Sequence, residues 1–145
     1  MARIVKSVQI DAPREHVFAL ALDFSRQPEW TTFIKEALIT SGDGKSAGTT
    51  DRSVIKVGPR ASESEGEWTE YKAGELFARR SIAGMSMRER MTFTPADGGT
   101  WVEWEVVYKP PMGPLGRFMD AFMMNRVFQN EIEASLENLK VALET

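Results

Sequence analysis

Alternation of apolar and polar residues predicts strands in both halves of the chain. Residues 3–10 alternate near the start, and residues 34–40 and 49–57 have strand-like sequences. Residues 85–94 alternate again, with methionine and phenylalanine on one side and serine, arginine and threonine on the other. Because every second side chain of a strand points to the same face, each segment would present one face to a core.

The Asp97-Gly98 pair predicts a tight two-residue turn within the second half of the chain. This turn fixes a register in which four pairs share one face: Phe93 with Val102, Met91 with Trp104, Glu89 with Val106, and Met87 with Tyr108. That face is apolar except for Glu89. On the other face Arg90 lies opposite Glu105, a favourable cross-strand charge pair. The register therefore accounts for both faces of the hairpin.

A second turn of the same kind is predicted at Ala83-Gly84. The resulting register directs Arg80 inward, opposite Met87, and therefore directs Arg79 outward. The strand before it carries three carboxylates on one face, and these are predicted to point outward because their burial is costly: Glu63, Glu65 and Glu67. The inward residues of that strand are then Ser62, Ser64, Gly66, Trp68 and Glu70.

Three helices are predicted to accompany the sheet. Asp11-Ala12-Pro13 begins a helix that runs to about Leu22, with proline near the first helical position and acidic charge in the first turn. A second short helix is predicted near residues 25–33, and one long helix over residues 115–144. The apolar stripe of the long helix is Leu115, Phe118, Met119, Phe122, Phe128, Ile132, Leu136, Leu139 and Leu143. Such a helix needs a wide apolar partner, and the sheet is the candidate, so the fold class is α+β.

Composition excludes several classes of site and partner. The 145 residues include no cysteine and one histidine, which excludes disulfides, thiolate metal sites and histidine-rich metal sites. The net charge of −3 argues against a nucleic-acid partner. No apolar run is long enough to span a membrane, and the start has no signal-peptide pattern. We therefore expect a cytoplasmic protein of one domain, residues 1–145, without a cofactor or a bound metal.

The first strand and the helices after it resemble a known superfamily. The phrase from Ile10 to Phe18, Asp23, and the Pro28-Glu29-Trp30 segment are similar to those of the SRPBCC, or START-like, helix-grip superfamily. This group includes polyketide cyclase/dehydrase-like and lipid-transport proteins. The resemblance implies a curved seven-stranded antiparallel sheet around the long C-terminal helix, with a ligand cavity between them. It implies no catalytic residue, because the chain contains no activity-defining motif.

Glu89 is the candidate catalytic residue, because burial among apolar neighbours would raise its pKa as a general acid or base requires. The alternative is an ion pair with Arg80, diagonally across the neighbouring strand, which would be structural or would hold the polar end of a ligand. The aromatic residues either line the cavity or pack as ordinary core. The predicted ligand-binding set is Trp30, Phe33, Trp68, Arg80, Met87, Glu89, Met91, Trp104, Val106, Tyr108, Phe118 and Phe122.

Three functions remain open at this point. The first is binding of a hydrophobic small molecule, such as a lipid, a polyketide or an aromatic metabolite. The second is a cyclase/dehydrase-type enzyme that uses Glu89. The third is a non-enzymatic interaction domain, including a homodimer, formed through an apolar surface near residues 112–124, where Met112, Met119, Met123 and Met124 cluster.

Overall fold

The structure, a computed structural model, describes residues 1–57, 60–109 and 121–145. In these ranges seven strands form one antiparallel sheet: β1 (Ala2–Ile10), β2 (Ile34–Ser41), β3 (Thr50–Val57), β4 (Arg60–Lys72), β5 (Leu76–Ala83), β6 (Met87–Ala96) and β7 (Gly99–Tyr108). The spatial order is β1-β7-β6-β5-β4-β3-β2. The helical segments are α1 (Arg14–Leu22), a 3-10 turn (Phe24–Arg26), α2 (Gln27–Trp30) and α3 (Ala121–Glu144). The predicted fold class is confirmed.

The β6–β7 hairpin has the predicted register. Asp97 and Gly98 form its turn with φ angles of 49° and 79°, the left-handed backbone that a two-residue hairpin turn requires. Met87 pairs with Tyr108, and the pairing continues without a shift to the turn. The inward face of the two strands is therefore the predicted one, with Glu89 among apolar neighbours.

The β5–β6 connection differs from the prediction by one residue. Its strands are joined by residues 84–86, and the N–H of Met87 donates to the Ser81 hydroxyl over 2.8 Å. Arg79 consequently pairs with Glu89. A slip of one residue exchanges the two faces of a strand, so the predicted inward direction of Arg80 is wrong. Arg79 points inward instead.

β4 contains a bulge that the alternation did not predict. The register shifts between Trp68 and Glu70, so Glu70 points outward, where it pairs with Arg90 over 3.2 Å. The prediction that Glu70 points inward is wrong for this reason. Tyr71 takes the inward direction and stacks on Trp68 at a centroid distance of 5.7 Å.

α3 packs against β1 and buries one stripe of its surface. The buried side chains are Met124, Phe128, Ile132, Ser135, Leu136 and Leu139. Phe122 was predicted in this stripe, but it is 72% exposed. Two residues before Met124, it lies on another side of the helix, since each residue turns the helix by about 100°. Leu115, Phe118 and Met119 lie outside the described residues.

Phe128 is a buried aromatic side chain of α3 and contacts two other aromatic residues of the interior. Phe128 contacts Phe33 at a centroid distance of 5.5 Å and Tyr108 at 5.2 Å. Thr32 donates its N–H to the Ser135 hydroxyl over 2.9 Å. These contacts join the helix to the sheet and to the segment after α2. None of the helices among the described residues is long and apolar enough to cross a membrane.

Phe128→Ala should lower the free energy of unfolding by about 3–5 kcal/mol, because it leaves a cavity where three elements meet. Val141→Ala, at a position of the same helix that is 53% exposed, should change it by less than about 0.5 kcal/mol. Urea unfolding followed by circular dichroism measures both. Equal losses for the two variants would show that α3 does not depend on this contact.

Candidate ligand-binding site

A buried ion pair crosses the concave face of the sheet. Arg79 on β5 donates from Nε and Nη2 to the two carboxylate oxygens of Asp51 on β3, over 2.9 and 2.5 Å. Trp68 on β4 donates its indole N–H to Asp51 over 2.9 Å. Asp51 is fully buried and Arg79 is nearly so. Both carboxylate oxygens of Asp51 thus accept a hydrogen bond from Arg79, a bidentate geometry typical of strong arginine–carboxylate pairs.

Gly66 makes this ion pair sterically allowed. It pairs with Asp51 on one side and with Ser81 on the other, so it lies on β4 between the two partners. A Cβ atom at this position would overlap the Arg79 guanidinium. The arginine side chain therefore crosses the intervening strand over a backbone that has no side chain.

Glu89 faces Arg79 directly across the β5–β6 pairing. The residues around it on the same face are buried, including Met87, Met91 and Val106, yet Glu89 keeps part of its surface accessible. Its carboxyl group therefore lies on the concave side of an interior strand, beside buried apolar side chains.

The surroundings of Glu89 raise its pKa above the usual range. Loss of hydration is the main cause. Arg79 opposes the rise, Asp51 adds to it, and the Trp104 indole opposes it more weakly. Arg79 gives its charged hydrogen bonds to Asp51, so one guanidinium serves two carboxylates. Glu89 accordingly holds its proton to a higher pH than an exposed glutamate does, because its pKa is raised.

Five buried polar side-chain atoms have no hydrogen-bond partner among the described residues. They are the indole nitrogens of Trp30 and Trp104, the hydroxyls of Thr49 and Ser64, and the Nε atom of Arg14. The Trp104 indole attracts the Glu89 carboxylate without reaching normal hydrogen-bond geometry. The Trp30 and Trp104 rings lie 5.7 Å apart. Buried polar groups are seldom left unsatisfied, so the indoles of Trp104 and its neighbour Trp30 offer unused donors near Glu89.

The structure brings together most of the predicted ligand-binding residues. The buried members are Trp30, Phe33, Trp68, Met87, Met91, Trp104, Val106 and Tyr108. Several contact one another, as Phe33 stacks on Trp104 at 6.0 Å, so core packing accounts for part of their burial. Arg80 is on the outer face, where it pairs with Glu67 over 3.0 Å. Phe118 lies outside the described residues, and Phe122 is exposed.

Asp51 and Arg79 are the polar residues of this face that sequence reasoning missed. Asp51 shares a strand face with Ser53 and Ile55, both buried. A carboxylate in phase with a buried isoleucine was a usable signal, because such a group needs a cation. Which of Arg79 and Arg80 points inward depends on the length of the turn that follows β5, and the sequence pattern predicted that length incorrectly.

A cleft of about 720 Å³ lies at the α1 end of the sheet. Its apolar walls include Phe18, Leu22, Phe24, Leu38 and Tyr71. Glu89, Arg79 and Asp51 do not line it. Its size is in the range of ligand sites, but the buried polar groups converge on the concave face, and the concave face is therefore the candidate site.

Asp51→Asn should lower the free energy of unfolding by about 3–5 kcal/mol, because it leaves the buried Arg79 guanidinium without its counter-charge. Glu63→Gln breaks the exposed pair with Arg52 and should change it by less than about 1 kcal/mol. Chemical unfolding at neutral pH compares the two. A loss for Asp51→Asn no greater than that for Glu63→Gln would contradict a structural role of the pair.

Glu89→Gln should become more stable than the wild type as pH rises. A raised pKa in the folded state means that the wild type is stabilised fully below the ordinary pKa of 4.5 and loses this stabilisation as pH rises through the raised value. The difference should grow by up to about 1.4 kcal/mol per pH unit in that window. Glu103→Gln, at an exposed position of β7, is the control and should show no such window in unfolding measured from pH 4 to 8.

Comparison with known proteins finds a family match and similar folds over nearly the whole chain. A family model described as polyketide cyclase / dehydrase and lipid transport matches residues 1–144. No curated protein matches the chain. The fold is similar to that of TTHA0849 from Thermus thermophilus, with 19% identity over 98% of this chain and 97% of that chain, and a TM-score of 0.85.

Two other solved structures have the same fold. A START superfamily protein from Mycobacterium smegmatis is 16% identical, covering 98% of this chain and 97% of that chain, with a TM-score of 0.78. An Aha1 dimer from Colwellia psychrerythraea, solved in solution, is 13% identical over 99% and 97%, with a TM-score of 0.65. At these identities the likeness concerns the fold.

The family match and the structural neighbours confirm the resemblance seen at the first strand, the first helix and the Pro-Glu-Trp segment. Family and fold are consistent with the binding of a hydrophobic ligand. The chain belongs to the polyketide cyclase / dehydrase and lipid transport family.

Proposed function

We propose that this protein binds a hydrophobic small molecule between the concave face of the sheet and α3, with the polar end of the ligand at Glu89. The observation that carries the proposal is the position of Glu89. The residue is half-buried on the concave face of the sheet, where Met87, Met91 and Val106 around it are buried and apolar. A site of apolar walls with a single polar contact suits a ligand of the same character.

The residues that would line the proposed site support the binding of a hydrophobic ligand. Met87 and Met91 flank Glu89 on β6, and Val106 lies opposite on β7. Methionine side chains adapt to irregular shapes, so they can pack against ligands of different outline. The family description includes lipid transport, which has the same requirement for an apolar interior.

The neutral fluorescent probe N-phenyl-1-naphthylamine tests the proposal, together with native mass spectrometry of the purified protein. We expect saturable binding of one probe per chain. Trp104→Phe should weaken it about two- to tenfold, because the indole supplies aromatic contact worth about 0.5–1.5 kcal/mol. Trp101→Phe changes a 41%-exposed tryptophan three residues earlier on the same strand and should leave the affinity unchanged.

Absence of saturable binding, with no co-purified molecule in the mass spectrum, would contradict the proposed function. Equal weakening in both tryptophan variants would place the probe elsewhere. Circular dichroism of each variant separates a loss of binding from a loss of fold.

A second candidate function is proton transfer by Glu89 to or from a bound ligand. The favouring observation is a carboxyl group with a raised pKa beside a fixed guanidinium, a combination common at catalytic sites. In that case a ligand extracted after incubation with the wild type would differ in mass or structure from one incubated with Glu89→Gln. A ligand recovered unchanged from both would leave binding as the function.

A further inference from the structure

We propose, resting on the proposed function, that the concave-face site selects neutral ligands carrying a carbonyl oxygen over carboxylates, with Glu89 as the selecting residue. In this arrangement the protonated Glu89 side chain donates a hydrogen bond to the ligand carbonyl. The inference follows from the charges that face the site and from the hydrogen-bond roles that remain for a ligand.

The first step concerns the cations. The cation beside Glu89 on this face is Arg79, which is held by Asp51 at 2.5 Å. Lys6 of β1 pairs with Glu133 of α3 at 3.2 Å. A carboxylate ligand beside Glu89 would therefore meet, in Arg79, a cation that already has a counter-charge. It would lose its hydration and gain no ion pair in return.

The second step concerns whether Arg79 can turn to a ligand. Its Nε and Nη2 atoms both donate to Asp51. The side chain lies over Gly66, which fixes its path across β4. Release of Arg79 would leave the fully buried Asp51 with the Trp68 indole as its remaining donor. Arg79 is thus a structural cation whose Nε and Nη2 donors are both used by Asp51.

The third step concerns the groups that face Glu89 itself. From β5 it meets Arg79, and Asp51 lies beyond on β3. On β7 the titratable group of the same face is Tyr108, whose hydroxyl accepts a hydrogen bond from Asn125 of α3. Loss of hydration outweighs the attraction of Arg79, which is shared with Asp51, so the anionic form of Glu89 is disfavoured relative to that of an exposed glutamate and its pKa is raised. A neutral carboxyl group is a hydrogen-bond donor through its O–H.

The fourth step concerns the remaining polar atoms. The indole nitrogens of Trp30 and Trp104 can only donate, and neither has a partner among the described residues. With Glu89 protonated, the unused polar groups of the interior are predominantly donors. A ligand that supplies an acceptor without a negative charge matches this set. Ketones, esters and aldehydes have that chemistry.

Three naphthalenes of nearly equal shape test the inference by displacement of N-phenyl-1-naphthylamine. They are 2-acetylnaphthalene, a ketone; 2-naphthoate, a carboxylate; and 2-isopropylnaphthalene, a hydrocarbon. At pH 7 we expect the ketone to bind the wild type at least tenfold more tightly than the carboxylate. Its affinity should exceed that of the hydrocarbon about two- to tenfold, as one hydrogen bond implies.

Glu89→Gln separates the donor from the charge. The amide still donates, so ketone affinity should stay within about threefold of the wild type, while carboxylate affinity should rise because a negative neighbour is lost. Ketone affinity of the wild type should fall as pH rises from 5 to 9, and that of Glu89→Gln should not. Glu103→Gln, with the same charge change at an exposed position, should behave as the wild type.

The outcomes are distinguishable. Failure of N-phenyl-1-naphthylamine to bind would overturn the proposed function and this inference with it. Normal binding of that probe, with ketone and carboxylate displacing it equally, would overturn the inference alone. So would a ketone affinity of the wild type that does not depend on pH and does not exceed that of the hydrocarbon.

Discussion

The ion pair between Arg79 and Asp51 links three strands of the sheet from its concave side. It buries two opposite charges that pair with each other. Apolar side chains would otherwise be expected at these positions. Breaking such a pair is costly because the remaining charge stays buried. Gly66 leaves room for this contact, and the pKa of Glu89, which is raised mainly by loss of hydration, is lowered by Arg79 and raised further by Asp51.

The β6–β7 hairpin could be predicted from sequence because its two central residues determine the turn. Asp97 and Gly98 both take a left-handed backbone that few residues adopt. The preceding connection has residues 84–86 in place of a two-residue turn. An extra residue changes the parity of the pairing, so Arg79 and Arg80 exchange faces although both neighbouring strands are recognised correctly.

The candidate site was predictable in its apolar part and in Glu89, since both follow from the hairpin register. Its remaining charged residues depend on contacts between strands far apart in sequence. Asp51 meets Arg79 only after β3, β4 and β5 are aligned, and alternation within one strand does not determine that alignment. The bulge after Trp68 could not be predicted from alternation either, because it turns Tyr71 inward where strict alternation would turn it outward.

The passage of Arg79 over Gly66 also constrains how this sequence can change over time. A side chain at position 66 and a guanidinium crossing it exclude each other, so neither position can be altered freely while the other is kept. Replacement of Arg79 by a smaller residue would make room for a side chain at position 66. It would also leave the buried Asp51 without its counter-charge, so Asp51 would have to change too. In descendants of this chain, positions 51, 66 and 79 should be inherited as a unit, and the order of their replacement should matter.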